Sequence, residues 1–134
     1  YILMIKFFSK YKIIFYFSNF FLVFLYIFPG SLLGVIMYDN KNIQPQITPD
    51  FIVSSNHFYV FVFISTLGFL SFIKQKQTNN LIIYLLFLSI ILEMLHLFIP
   101  DRSYQWSDLF GNLLGVIIVI IFNNLINKYD LSKK

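Results

Sequence analysis

The sequence has few charged residues and no cysteine. Charged side chains make up 12% of its 134 residues, against about 25% in soluble domains. So few charges cannot cover the surface of a small water-soluble globule, whereas a chain surrounded by lipid does not need them. The absence of cysteine excludes disulfides, thiol catalysis and thiolate metal sites. The remainder is 58% hydrophobic with a mean hydropathy of +0.75, which indicates an integral membrane protein.

Four apolar runs are each close to the roughly 20 residues that a helix needs to cross about 30 Å of hydrocarbon. Because backbone groups in lipid must be satisfied within the segment, we expect helices, and no run alternates like a barrel strand. The sequence therefore predicts one all-α domain over residues 1–134, an integral membrane four-helix bundle. Its helices are predicted at about 13–36, interrupted at Pro29-Gly30, then 51–73, 81–99 and 108–126. The first run is longer than the apolar core of about 7–15 residues in a signal peptide, so we expect it to be retained.

The basic residues are distributed unequally between the two ends of these runs. Only Lys41 and Arg102 flank one end. Because basic loops stay in the cytoplasm, the more basic end predicts that both termini are cytoplasmic and that segments 37–50 and 100–107 face outward. The net charge of +4 is thereby explained by orientation, so we expect the lipid bilayer of the cell membrane as a partner and no nucleic acid. The other eight basic residues are Lys6, Lys10, Lys12, Lys74, Lys76, Lys128, Lys133 and Lys134.

Glu93 lies inside the third run, six residues before Ile99, or about 9 Å from the end of the run at helical rise. A carboxylate at that depth must be paired, protonated or facing water, so we interpret Glu93 as a site or pairing residue. His96 follows three residues later, on the same helix face. A single Glu-x-x-His motif falls short of the two motifs and two further glutamates of di-iron bundles. We therefore predict no metal site and no cofactor.

Two further polar positions allow two interpretations each. His57, at the start of the second run, fits either a site residue or an interfacial histidine hydrogen-bonded to water. Arg102 is the only arginine, and its planar guanidinium suits a carboxylate or phosphate partner. Its position beside Tyr104 and Trp106 fits equally an interfacial anchor within an aromatic belt.

The fourth run opens with Asp108 and Asn112, which lie four residues apart on one helix face. Asp108 is placed to interact with the helix N-terminus, where negative charge is favoured. Asn112 lies deeper, so we expect it to find a partner on another helix. Gly111 and Gly115 have the spacing that lets two membrane helices approach closely, and we interpret them as packing residues.

These polar residues share one end of the runs. We predict that they form one site in the outer third of the membrane, because unrelated polar positions would be scattered over both leaflets. The predicted site comprises His57, Glu93, His96, Arg102, Asp108 and Asn112.

Most of the sequence resembles the VanZ-like family, and the specific part of the resemblance is about residues 93–115. Glu93-Met94-Leu95-His96, Pro100-Asp101-Arg102-Ser103 and the stretch from Asp108 to Gly115 are similar in order and spacing to its E-x-x-Q, P-x-R-S/T and D-x-x-x-N-x-x-G patterns. His57 corresponds to a histidine at a helix start in that family. Two positions depart from the pattern. His96 replaces the usual glutamine, and Val53 and Ser54 stand where the family has an Asp-Lys pair.

The resemblance implies a small integral membrane protein of the cell envelope, in a family named for low-level resistance to the glycopeptide teicoplanin. One functional hypothesis is an outward polar site that binds or modifies an anionic envelope component, with Arg102 facing the anion. The other is a non-catalytic assembly or partner subunit in which the polar residues hold the helices together. A proton path is less favoured because the inner halves of the runs lack polar residues to extend it. The sequence identifies neither a reaction nor a protein partner.

Overall fold

A computed structural model describes residues 12–72 and 75–132 of the chain. These residues contain five helices and no strand, so the all-α prediction is confirmed for them. The helices are α1 (Lys12–Ile27), α2 (Leu32–Tyr38), α3 (Ser55–Ser71), α4 (Gln75–Leu95) and α5 (Trp106–Ser132). Five lysines of the orientation argument, Lys6, Lys10, Lys74, Lys133 and Lys134, lie outside the described residues.

Two of the helices are long and apolar enough to cross a membrane, α4 over Lys76–Leu95 and α5 over Trp106–Tyr129. Helices α1 and α2 meet the same requirements only when taken together, and their axes are bent by 83° at the break between them. Large apolar side chains lie on the outside of the helices, as expected for contact with lipid. Examples are Phe17, Phe20, Ile83, Phe87 and Phe122, each more than half exposed.

The break between α1 and α2 divides the first predicted helix, 13–36, into two. Pro29 has no backbone N–H to donate and cannot continue a helix. Gly30 has a φ of 77°, which favours glycine, and a Cβ at this position would lie 2.9 Å from the Lys41 carbonyl oxygen. Ser31 then caps α2 by accepting a hydrogen bond of 2.9 Å from the Gly34 N–H. The chain therefore turns sharply at the point where the run was interrupted.

The other helix boundaries also differ from the apolar runs. Helix α3 begins at Ser55 rather than 51, where the Asp50 carboxylate accepts the Ser55 N–H at 2.9 Å. Helix α4 begins at Gln75 rather than 81, because the polar residues 75–80 contain no helix breaker. It ends at Leu95 rather than 99, and i to i+3 hydrogen bonds continue as turns until Pro100. An apolar run in the sequence indicates the part of a helix that suits lipid. The helix itself can begin before that run or end within it.

Helices α3 and α5 form the closest pair in the described structure. Gly111 and Gly115 make this contact: a Cβ on Gly111 would lie 2.8 Å from the Ser54 carbonyl oxygen, and one on Gly115 would lie 2.6 Å from that of Phe58. The apolar core beside them includes Phe61, Leu85 and Val116. The close approach brings the first turns of α3 and α5 together, and with them their polar side chains.

Candidate functional site

Five of the six predicted polar residues meet at one end of the helices. His57 comes from the first turn of α3, Glu93 and His96 from the end of α4, and Asp108 and Asn112 from the start of α5. Tyr26, near the end of α1, completes the group, which we call the polar cluster: Tyr26, His57, Glu93, His96, Asp108 and Asn112. All but Asp108 are buried.

Glu93 is the most deeply placed charge of the cluster, with no exposed surface. Its Oε1 accepts a hydrogen bond of 3.0 Å from the Gln105 N–H. Its Oε2 has no hydrogen-bond partner within the described part of the chain. This oxygen lies 3.3 Å from His96 Nδ1 and 3.8 Å from His57 Nδ1, without hydrogen-bond geometry to either. A buried carboxylate oxygen without a partner is costly and calls for a proton or a cation.

The His57 ring stands between two carboxylates. Its Nδ1 side faces Glu93, and its Nε2 lies 3.5 Å from Asp108 Oδ2. Nδ1 also lies 3.0 Å from the Tyr26 hydroxyl and 3.1 Å from Asn112 Oδ1. An N–H on Nδ1 is therefore well placed to be donated to these oxygens, which leaves the lone pair on Nε2 facing Asp108.

Asn112 is oriented by partners on three other helices. Its Nδ2 donates to the Ser89 carbonyl of α4 at 3.2 Å, so its Oδ1 faces Tyr26 and His57. The Tyr26 hydroxyl donates to that Oδ1 at 2.7 Å. Asn112 thus has the cross-helix partner that its depth required. Sequence reasoning missed Tyr26, because a tyrosine in an apolar helix is unremarkable and nothing in the pattern of nine tyrosines distinguishes it.

His96 faces Glu93 through its Nδ1, 3.3 Å from Glu93 Oε2. Its Nε2 lies 3.2 Å from the Tyr26 carbonyl oxygen, which can only accept, so Nε2 carries the hydrogen. In the neutral ring Nδ1 then has a lone pair, directed toward Glu93 Oε2. The imidazole is stacked on the Tyr26 ring at 5.5 Å between centroids, which holds this orientation. Both histidines therefore place an imidazole beside a carboxylate oxygen.

Arg102 lies at the edge of the cluster and contacts neutral groups. Its Nη2 and Nε donate to the carbonyls of Leu25 and Phe28 at 3.0 and 3.2 Å, and Nη1 to Gln44 Oε1 at 3.4 Å. No carboxylate of the described residues lies within 4.0 Å of it, so Arg102 forms no direct ion pair with Glu93 or Asp108. Partial burial lowers the pKa of the Arg102 guanidinium from its ordinary value, and the nearby acidic groups oppose this.

Two adjoining cavities open beside the polar cluster. The apolar cavity, about 130 Å³, is lined on one side by Leu25, Leu32 and Val60. The polar cavity, about 190 Å³, includes Lys41 and Asp108 in its lining. Each is roughly tenfold larger than the 10–15 Å³ that one water molecule requires. The two cavities share four lining residues, Ser31, Gln44, His96 and Arg102.

At the mouth of the polar cavity, Lys41 pairs with Asp101 at 2.6 Å. Both side chains are exposed, so the pair contributes little to stability. It ties the segment after α2 to the segment after α4 and partly neutralises Lys41. The cavity thus has two basic residues in its lining: Lys41, which is paired with Asp101, and Arg102, which contacts no acidic side chain of the described residues.

The chemistry available at the site is that of acids, bases and ligands. Each of the two imidazoles has a nitrogen 3.3–3.8 Å from a carboxylate oxygen, and Arg102 adds a positive charge at the cavity wall. One atom from each of His57, Glu93 and Asp108 lies within 4.8 Å of the others, a spacing suited to holding a metal ion.

Comparison with known proteins gives no match: no family model, no curated protein and no solved structure matches the chain.

Proposed function

We propose that this chain is a VanZ-like multi-pass protein of the cell membrane that binds an anionic amphiphile of the cell envelope at its outward-facing polar end. Binding of this kind would link it to glycopeptide tolerance, the property for which the family is named. The family assignment is supported by the order and spacing of residues 93–115 and by the proximity of Glu93, His96, Asp108 and Asn112.

A four-crossing arrangement is supported by the lengths of the helices. Besides α4 and α5, the bent pair α1–α2 serves as one broken crossing. Helix α3 has 17 residues and rises about 25 Å, at the lower limit of what spans the hydrocarbon. The excess of lysines at one end of the runs supports placing both termini in the cytoplasm and the polar cluster outside.

The single observation that carries the ligand class is the environment of Arg102. The guanidinium is half-buried, lines both cavities and donates only to neutral acceptors. A partly desolvated cation in this position gains from an incoming anion, and the planar fork suits a phosphate or carboxylate. The adjoining apolar cavity provides contact for a hydrocarbon chain. Together they fit a molecule with an anionic headgroup and an apolar tail.

The proposal is tested by measuring lipid retention with native mass spectrometry of the purified, detergent-solubilised protein. The wild type is expected to retain anionic phosphatidylglycerol more than zwitterionic phosphatidylcholine. Arg102→Gln should weaken phosphatidylglycerol binding about tenfold or more, since a hydrogen bond to a charged group contributes about 1.5–3 kcal/mol. Asp101→Asn should strengthen it, because it removes a negative charge from the cavity and releases Lys41.

The matched control is Lys128→Gln, which removes an exposed cation from the far end of α5. It should leave the selectivity of the wild type unchanged. Equal retention of the two lipids, or the same loss in Lys128→Gln as in Arg102→Gln, contradicts the proposal. The thermal unfolding midpoint of each variant separates lost binding from lost folding.

A second candidate, an assembly subunit with a structural polar network, is favoured by the hydrogen bonds of Asn112. This side chain links α5 to the three other helices through Tyr26, His57 and Ser89. Hydrogen bonds between four helices are expected of a residue that stabilises the fold. The two functions differ in their consequences. If the network is only structural, lipid selectivity is absent, and changes at Arg102 alter stability without altering selectivity.

A further inference from the structure

We propose that His57, Glu93 and Asp108 form a binding site for one divalent transition-metal ion between the ends of α3, α4 and α5. This inference is independent of the anionic-lipid function, and no single segment of the sequence contains the three ligands. It rests on the spacing of the donor atoms, on an unpartnered buried oxygen and on the groups that orient the imidazole.

The donor atoms have the spacing and chemistry of a metal site. One atom from each residue lies within 4.8 Å of the others, and His57 Nε2 lies 3.5 Å from Asp108 Oδ2. Bonds from Zn²⁺ to imidazole nitrogen and carboxylate oxygen are about 2.0–2.2 Å, which sets neighbouring ligand atoms about 3.4 Å apart in a tetrahedron. Movements of about an ångström would bring all three donors onto one ion.

Glu93 supplies the observation that points to a cation. Its side chain is fully buried, and Oε2 has no hydrogen-bond partner among the described residues although the other oxygen has one. This oxygen lies 3.8 Å from His57 Nδ1 and 3.3 Å from His96 Nδ1, in hydrogen-bond geometry with neither. A metal ion would satisfy it. The two carboxylates would also balance the two charges of the ion, so the loaded site adds no net charge within an apolar surrounding.

The surroundings of His57 are those of a metal-binding histidine. Such a residue usually donates its second ring N–H to a fixed acceptor, which sets the tautomer and the ring orientation. Asn112 Oδ1 is that acceptor at 3.1 Å from Nδ1, and it is itself held by the bond from Asn112 Nδ2 to the Ser89 carbonyl. The nitrogen left free is Nε2, on the side of Asp108. The mixed nitrogen and oxygen ligands suit Zn²⁺ and related first-row ions better than Ca²⁺ or Mg²⁺.

The test is a calorimetric titration of the chelator-treated, detergent-solubilised protein with Zn²⁺, with bound metal counted by elemental analysis. The wild type should bind one ion per chain. Glu93→Gln and Asp108→Asn should each weaken binding at least about tenfold, the lower bound known for residues that only support a metal ligand. The matched control is Asp101→Asn, which removes the same charge from an acid that lines the same cavity outside the ligand set, and it should lower the affinity for Zn²⁺ far less than Asp108→Asn does.

A second variant makes the test independent of any loss of affinity. In His57→Cys, bound Co²⁺ should show the charge-transfer absorption of a cobalt thiolate, which the wild type cannot give because the chain has no cysteine. Arg102→Gln should lose anionic-lipid selectivity and keep Zn²⁺ binding, so failure of either proposal is recognised separately. The metal proposal is overturned if the folded wild type takes up no stoichiometric Zn²⁺. It is also overturned if Asp108→Asn matches Asp101→Asn, or if His57→Cys binds Co²⁺ without the thiolate band.

Discussion

At the scale of single residues, the members of the polar cluster differ in how fully their hydrogen-bonding groups are used. Asn112 uses both its amide groups, whereas Glu93 has a buried oxygen without a hydrogen-bond partner among residues 12–72 and 75–132. A structural network normally satisfies every member, because each unsatisfied buried group reduces stability. The difference within the cluster assigns Asn112 to holding the helices together, and leaves Glu93 available to a ligand, a proton or an ion.

Asn112→Leu is therefore expected to destabilise the protein. It leaves Tyr26, His57 and the Ser89 carbonyl without a shared partner, at a cost of about 1–3 kcal/mol for each buried group that stays unsatisfied. Thermal unfolding in detergent, followed by circular dichroism, should show a lower midpoint. The control is Asn124→Leu in the same helix, whose side chain is exposed and should tolerate the change. Equal midpoints for the two variants would remove the structural role of Asn112.

The sequence pattern located most of these residues but not their pairings. Glu93 is the only glutamate, and His57 and His96 are the only histidines, so their rarity in apolar runs made them visible. Rarity does not predict partners. Tyr26 enters the site because α1 packs beside the helices that carry His57 and His96, and Gln44 because the chain folds back after Pro29-Gly30. Both placements depend on tertiary contacts. For the same reason, counting the ligands of one Glu-x-x-His motif overlooked His57 and Asp108, which two other helices bring to it.

At the scale of helices, the closest contact is the one between α3 and α5, and glycine makes it possible. A Cβ on Gly115 would lie 2.6 Å from the Phe58 carbonyl oxygen and 2.8 Å from Phe61 Cβ. Backbone atoms cannot move aside as a flexible side chain can. The helices would have to separate, and the separation would also displace His57 from Asp108, since both lie in first turns near this contact.

Gly115→Ala should therefore destabilise the protein by about 1–3 kcal/mol, the usual range for overpacking. Gly68→Ala is the matched comparison, because its new Cβ would meet only the side-chain ends of Leu81 and Phe15, at 3.0 Å. It also gains roughly 0.5–1 kcal/mol of helix propensity. Thermal unfolding midpoints should fall for Gly115→Ala and change little for Gly68→Ala. The opposite order would show that the α3–α5 contact is looser than described.

Helix type was predictable from the sequence, whereas helix boundaries were not. Long apolar runs correctly predicted that α4 and α5 are helices, because so many consecutive apolar residues are typical of a membrane-spanning helix. Residues 75–80 lie outside the predicted helix of 81–99 because they are polar, yet their side chains are compatible with a helix, and α4 includes them. The 83° bend between α1 and α2 follows from Pro29 and Gly30, but its angle depends on the contact of Gly30 with Lys41.

At the scale of the whole molecule, the polar cluster lies at one end of the helices. The surface of α4 and α5 is apolar over lengths that fit a membrane. Both cavities open at the end of the helices where the titratable residues of the polar cluster lie. The Lys41–Asp101 pair lies at the same end. We propose that this end faces outward, where an envelope amphiphile can reach Arg102 from the outer leaflet.

The labelling rate of a single cysteine at position 103 tests both the orientation of the polar end and its selectivity for an anionic lipid. Ser103 is exposed and lines the polar cavity. The chain has no other cysteine, so Ser103→Cys gives one signal. In intact cells, a membrane-impermeant maleimide should label it without permeabilisation. Short-chain phosphatidylglycerol should slow the reaction several-fold, whereas short-chain phosphatidylcholine should not. Asn127→Cys, near the end of α5, should react only after permeabilisation. Labelling of Ser103→Cys only in permeabilised cells would contradict the orientation, and equal rates with both lipids would contradict the anionic site.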